Sequence, residues 1–126
     1  LKNPIIGGGY GNFDENFRET YIYDHFRVRD ALPEGVRIPS HSIWGEVLAE
    51  TGTLGFVTYT VLMGYVLFIL YKSIKASKNK SDLTFSIGFF SSLTGLLSAG
   101  IFYTYNLEFF WLVVFWGVIH AKRILA

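Results

Sequence analysis

The sequence predicts an all-α membrane protein, with a polar extracytoplasmic arm leading into three transmembrane helices. Three observations carry this reading. Apolar residues make up 51% of the 126-residue chain and aromatics 18%, against only 17% charged, a balance unlike that of soluble domains. The charges are segregated, so that long stretches carry none. The stretches without charge have lengths close to the thickness of a bilayer.

The same composition excludes other classes. A net charge of +1 lacks the basic excess that a nucleic-acid partner requires. With no cysteine, there is neither a disulfide framework nor a thiolate metal site, and the redox compartment stays open. The chain starts at Leu1 without a basic-apolar-small signal peptide, which predicts a piece of a longer polypeptide whose targeting signal lies upstream.

Residues 1–52 form the polar arm. They open with "NPIIGGGYGNF", Asn3 to Phe13. Clustered glycines permit positive φ, and their amides can line an anion nest. No Gly-Lys-Ser/Thr follows, so a nucleotide phosphate loop is ruled out, and a plain turn leaving a preceding membrane helix is the simpler reading. Between Asp14 and Arg37 arginines alternate with acids. Arginine's planar fork holds two phosphate oxygens at once, which makes Arg27, Arg29 and Arg37 candidate phosphate ligands, favoured over Arg18 for their closeness in sequence to His41. Most such charges are ordinary solvated side chains.

A short helix is predicted over about 43–51. Pro39 precedes it, Ser40 or Ser42 supplies the N-cap, and Gly52 closes it. His41, Gly45 and Leu48 share one face, leaving room beside the imidazole for a substrate. Glu46 and Glu50 stand one turn apart, a repulsive pair unless a cation or hydrogen-bond donors separate them. His25 reads as loop packing and His120 as an interfacial residue. The three histidines show no metal-ligand spacing, and no G-x-S-x-G or H-E-x-x-H pattern is present.

The spans follow. The first uncharged run, Thr53 to Tyr71, would reach roughly 28 Å as a helix. A lysine-rich cytoplasmic loop, 72–82, separates it from the second span, 83–105. The third, about 107–121, is short and ends at Lys122 and Arg123, with tilt or local thinning to accommodate it. Basic loops stay cytoplasmic, so both lysine-bearing ends share the inner side and residues 1–52 face outward. In the second span Ser91, Gly95 and Ala99, flanked by Gly88 and Ser92, predict a face for close helix packing. Tyr71, Tyr103, Tyr105, Trp111 and Trp116 suit interfacial anchoring.

Taken together, "NPIIGGGYGNF" and "SHSIWGEVLAETGTLGF" before a span resemble the O-antigen ligase and polymerase superfamily of bacterial membrane proteins. The second match reads His41, Ser42, then Leu48, Glu50, Gly52 and Gly55, with serine where the family more often has asparagine. The resemblance covers most of the chain. It implies a multi-pass glycosyltransferase of the bacterial inner membrane, here its C-terminal part, with the N-terminal loop outside and the C-terminus cytoplasmic. It also implies inverting transfer of glycan from an undecaprenyl diphosphate carrier to an acceptor hydroxyl on a glycan or lipid A-core, needing neither metal nor other cofactor. His41 matches the family's proposed base. The tentative substrate ligands are Arg27, Arg29, Arg37, Glu46 and Glu50, although the family's arginines lie largely in earlier loops. Two rivals stand beside this reading: a non-catalytic transporter or exporter subunit for polysaccharide or lipid-linked sugar, and a membrane anchor with an exposed arm.

Overall fold

A computed structural model describes residues 3–13, 41–102 and 107–126. The regular structure among the described residues is helical, with turns over 3–12 and no strand. Their long helices are α1 (Ile43–Ala76), α2 (Lys80–Ala99) and α3 (Leu107–Leu125). Of these, α1 is long and apolar enough to cross a membrane, and only 17% of its apolar window is buried. This points to membrane association. The chain divides into two compact units, 1–58 with 101–104, and 59–100 with 105–126.

The first unit is built on the start of α1. Ser42 is its cap: the Gly45 amide donates to Ser42 Oγ at 3.2 Å, satisfying one of the free donors at the helix start. Ile43 is buried. Gly52, with φ of 67° and ψ of −169°, then breaks the helical path. Trp44 and Phe56 lie on either side of the break, in edge contact at 5.8 Å between ring centroids.

In the second unit, an apolar stripe from each helix forms the core. Met63, Val66 and Leu70 come from α1, Leu93 and Leu97 from α2, and Phe110, Val114 and Ala121 from α3. Their spacings of three, four and seven residues place each set along one helical face. Gly117 lets α3 approach closely, since a Cβ there would lie 3.3 Å from Leu70 Cδ2 and 3.4 Å from Phe89 Cβ.

The element ends differ from those the sequence predicts. Helix α1 continues through Lys72 and Lys75 to Ala76, so the connection to α2 is only 77–79. Cations suit a helix C-terminus, and these two lie over the rings of Phe68 and Tyr71 at 5.1 and 5.6 Å. Helix α2 starts three residues before Leu83, because Asn79 caps it. The Asp82 amide donates to Asn79 Oδ1 at 2.7 Å, and Asn79 Nδ2 returns a bond to Asp82 Oδ2 at 2.7 Å, a reciprocal cap. The helix ends at Ala99, well short of Tyr105, and α3 runs past Ala121 to Leu125.

The small-residue face also behaves differently. Gly88, Ser91, Ser92, Gly95 and Ala99 are all exposed, and a Cβ at Gly88 or Gly95 would meet nothing within 4 Å. Helix α2 instead turns Ser86, Leu93 and Leu97 inward. Tyr71 and Trp116 are exposed; Tyr103 and Tyr105 lie outside the described residues.

Candidate functional site

The segments that sequence reading singles out at opposite ends of the arm form one structure. Breaking α1 at Gly52 frees two carbonyls, of Ala49 and Glu50, and two amides, of Thr53 and Leu54, which an unbroken helix would pair i to i+4. The 3–13 segment takes all four. Gly8 N donates to Ala49 O at 3.0 Å and Gly9 N to Glu50 O at 2.9 Å. In return, Thr53 N donates to Pro4 O at 2.9 Å and Leu54 N to Ile5 O at 3.1 Å. Two helical bonds are thus exchanged for four long-range ones, and no freed backbone group is stranded.

Glycine is required at the contact for two separate reasons. Gly7 and Gly52 both adopt positive φ, 73° and 67°, where a side chain is strained. Each also lies against opposing backbone. A Cβ on Gly7 would collide with the Glu50 carbonyl, and one on Gly52 with the Ile5 carbonyl. Gly7 N donates to Asn3 O at 2.8 Å, turning the segment back on itself. The amides of Gly7, Gly8 and Gly9 are therefore committed to carbonyls. The anion nest suggested by the glycine cluster does not form from them.

Glu50 faces this junction. It is 6% exposed, and the Phe13 amide donates to its Oε1 at 3.4 Å. The carboxylate therefore fastens the far end of the 3–13 segment to α1. Glu46, one turn earlier, is half-buried, and its amide donates to Ser42 O at 2.9 Å. His41 is exposed and occupies a bend two residues before α1. The structure thus brings the glycine segment, Glu50 and Gly52 together, just downstream of the histidine. Arg27, Arg29 and Arg37 lie outside the described residues, as do His25, Pro39 and Ser40. Among the described residues, no three His, Cys, Asp or Glu side chains converge to hold a metal ion.

A second polar cluster, which sequence reading missed, lies in the second unit. Ser73 and Ser86 are both fully buried. Ser73 Oγ is 3.1 Å from Ser86 Oγ, and Ser86 Oγ is 3.2 Å from His120 Nε2. His120 Nε2 also lies 3.3 Å from Asp82 O. A carbonyl only accepts, so this contact calls for the proton on Nε2. The sequence signal was available: Ser73 continues the Met63–Val66–Leu70 stripe by three residues, so its hydroxyl had to face the helix partners.

Comparison of the chain with family models, curated proteins and solved structures finds no match.

Proposed function

We propose that the chain is the C-terminal portion of an O-antigen ligase- or polymerase-like glycosyltransferase of the bacterial inner membrane. One observation carries the reading furthest. The two segments on which the family resemblance rests, Asn3–Phe13 and His41–Gly55, are locked together through backbone at Gly52. A pair of unrelated chance matches would have no reason to share one contact. The low burial of the apolar stretch of α1 supports a lipid-facing helix over the core helix of a soluble protein, and in this reading α2 and α3 serve as the second and third spans.

In this reading residues 1–52 face outward and the α1–α2 connection and the C-terminus face the cytoplasm. The donor's polyprenyl tail requires lipid and its sugars require water, so the reactive bond is presented where the arm meets α1. A sugar hydroxyl is too weak an acid to attack unaided. The neutral imidazole of His41 accepts its proton as the oxygen attacks the anomeric carbon. The bond from that carbon to the diphosphate breaks with inversion, and Arg27, Arg29 and Arg37 are the candidates to stabilise the charge gathering on the leaving group. The acceptor is a hydroxyl on a glycan or lipid A-core. The locked loop gives the histidine a rigid base, with Glu50 holding the loop and Glu46, one helical turn earlier, as a candidate to meet a sugar.

The test is His41→Ala in the complete protein, assayed for undecaprenyl diphosphate release from a lipid-linked sugar. Transfer should fall by about 10²–10⁴-fold with membrane insertion unchanged; near-normal release would overturn the assignment. Topology can be read from single introduced cysteines in a background with any others replaced, since residues 1–126 contribute none. A cysteine at Tyr10 should react with an impermeant maleimide in intact cells, and one at Lys78 only after permeabilisation.

A further inference from the structure

The end of the second unit where α2 begins and α3 finishes holds a cleft of about 280 Å³, lined by Phe85, Phe89, Trp116, Ile119, His120 and Arg123. Its polarity is graded. Arg123, in the last turn of α3, pairs with Asp82, in the first turn of α2, at 2.5 Å. The two helices therefore run antiparallel past the cleft. Going inward from that ion pair, α3 contributes Ile119 and then Trp116, and α2 contributes Phe85 and then Phe89. From Arg123 to Trp116 is about 10 Å of helix. One end is thus cationic and the rest aromatic and aliphatic.

His120 belongs to the wall. Its Nε2 is held by Ser86 Oγ and Asp82 O, and its ring is 5.9 and 5.6 Å from those of Phe85 and Phe89. Arg123 is different, with a side chain 67% exposed. Of the five donors on a guanidinium, the ion pair engages Nη2, and the other Asp82 oxygen is already taken by Asn79. Lys80 and Lys122 are close in sequence to Asp82 and Arg123, Lys78 lies in the 77–79 connection, and Asp82 is the sole acid in 72–82 and 119–126. The local charge is therefore strongly positive, and a guanidinium with donors to spare suits phosphate oxygens.

We infer that this cleft seats one anionic phospholipid, its phosphate on Arg123 and an acyl chain along Phe85, Phe89, Trp116 and Ile119. The inference rests on the membrane reading given above, in which this end lies at the inner leaflet, where anionic headgroups attract basic helix ends. The occupant must be an amphiphile, because the groove is charged at one end only. It must be anionic, because the polar end of the lining is Arg123 and the segments that meet there, 72–82 and 119–126, carry several cations and a single carboxylate. The volume suits one chain rather than a whole lipid, leaving the rest of the molecule in the surrounding leaflet.

The experiment uses the full-length protein in nanodiscs of phosphatidylcholine doped with phosphatidylglycerol, with lipid retention read by native mass spectrometry. Phosphatidylglycerol should be retained in preference to phosphatidylcholine. Arg123→Gln should weaken that preference about five-fold, and Lys78→Gln, away from the lining, should change it much less. Equal losses in the two variants would mean diffuse charge attraction and overturn the site. A photoreactive benzoylphenylalanine in place of Trp116, in an otherwise unaltered protein, gives an independent reading. Crosslinks to phosphatidylglycerol support the proposal, whereas crosslinks to polypeptide show that another helix fills the cleft. Carbonate extraction separates the two levels of failure. A protein released from membranes refutes the membrane reading itself, and one that stays integral but holds no lipid at position 116 refutes only the seat.

Discussion

The two units of this chain are held together by opposite means. In the first, the decisive contacts are main chain to main chain: four exchanged hydrogen bonds, with glycine where any side chain would intrude. In the second, side chains do the work through apolar stripes, a Ser73–Ser86–His120 chain and the Asp82–Arg123 pair. The difference teaches where each should tolerate change. Backbone pairing is indifferent to most side chains but intolerant at the glycines. Packed stripes spread their sensitivity over many positions, each of modest weight.

The sharpest way to break the comparison is Gly52→Ala. Positive φ with extended ψ costs a side chain about 1–3 kcal/mol, and the collision with the Ile5 carbonyl adds to this. Amide exchange at Gly8, Gly9, Thr53 and Leu54 should rise together, with protection at Leu93 and Val114 unchanged. If all of these amides lose protection together, the two units do not differ as described. Next comes Ser42→Ala, which removes the cap of α1 and should lower the stability of the first unit by about 1 kcal/mol, read from the same exchange data. Ser86→Ala should be milder, about 0.6 kcal/mol in detergent unfolding, because Ser73 keeps its 2.7 Å bond to Leu70 O.

Glu50→Gln sharpens the contrast by its small effect. An amide oxygen can still accept from Phe13, so fold and loop protection should stay close to wild type, within about 1 kcal/mol. A glycan-transfer assay on this variant then separates two roles. Retained transfer leaves Glu50 as a fastening for the loop, and abolished transfer with intact protection assigns the charge itself to substrate.

Local features of the fold were legible. The cap at Ser42 and the break at Gly52 are encoded within a few residues, and the apolar runs announce helices by length alone. What escaped was long-range or depended on direction. Nothing near Gly8 or Gly9 signals that their amides will find Ala49 and Glu50 some forty residues on, because backbone pairing leaves no side-chain pattern. The stripe from Gly88 to Ala99 looked like a packing face, but small residues permit close approach without causing it. The larger Leu93 and Leu97 bury more apolar surface and took that role. Meanwhile Gly117, a single small residue among aromatics, gave no repeat to notice. His120 was judged by its neighbours in sequence, whereas its partners Ser86 and Asp82 come from the facing helix. At the candidate site, the histidine and the two glutamates are candidates named from sequence alone, and the joint between the two segments was not legible there.

The break at Gly52 has a mechanical corollary. The amides and carbonyls that grip the 3–13 segment are the same ones that would close a continuous α1. Release of that segment therefore leaves Thr53 free to pair with Ala49 and Leu54 with Glu50, so the rod heals as the loop departs. Detachment and straightening are two faces of a single motion, and a force applied to either one is felt at the other.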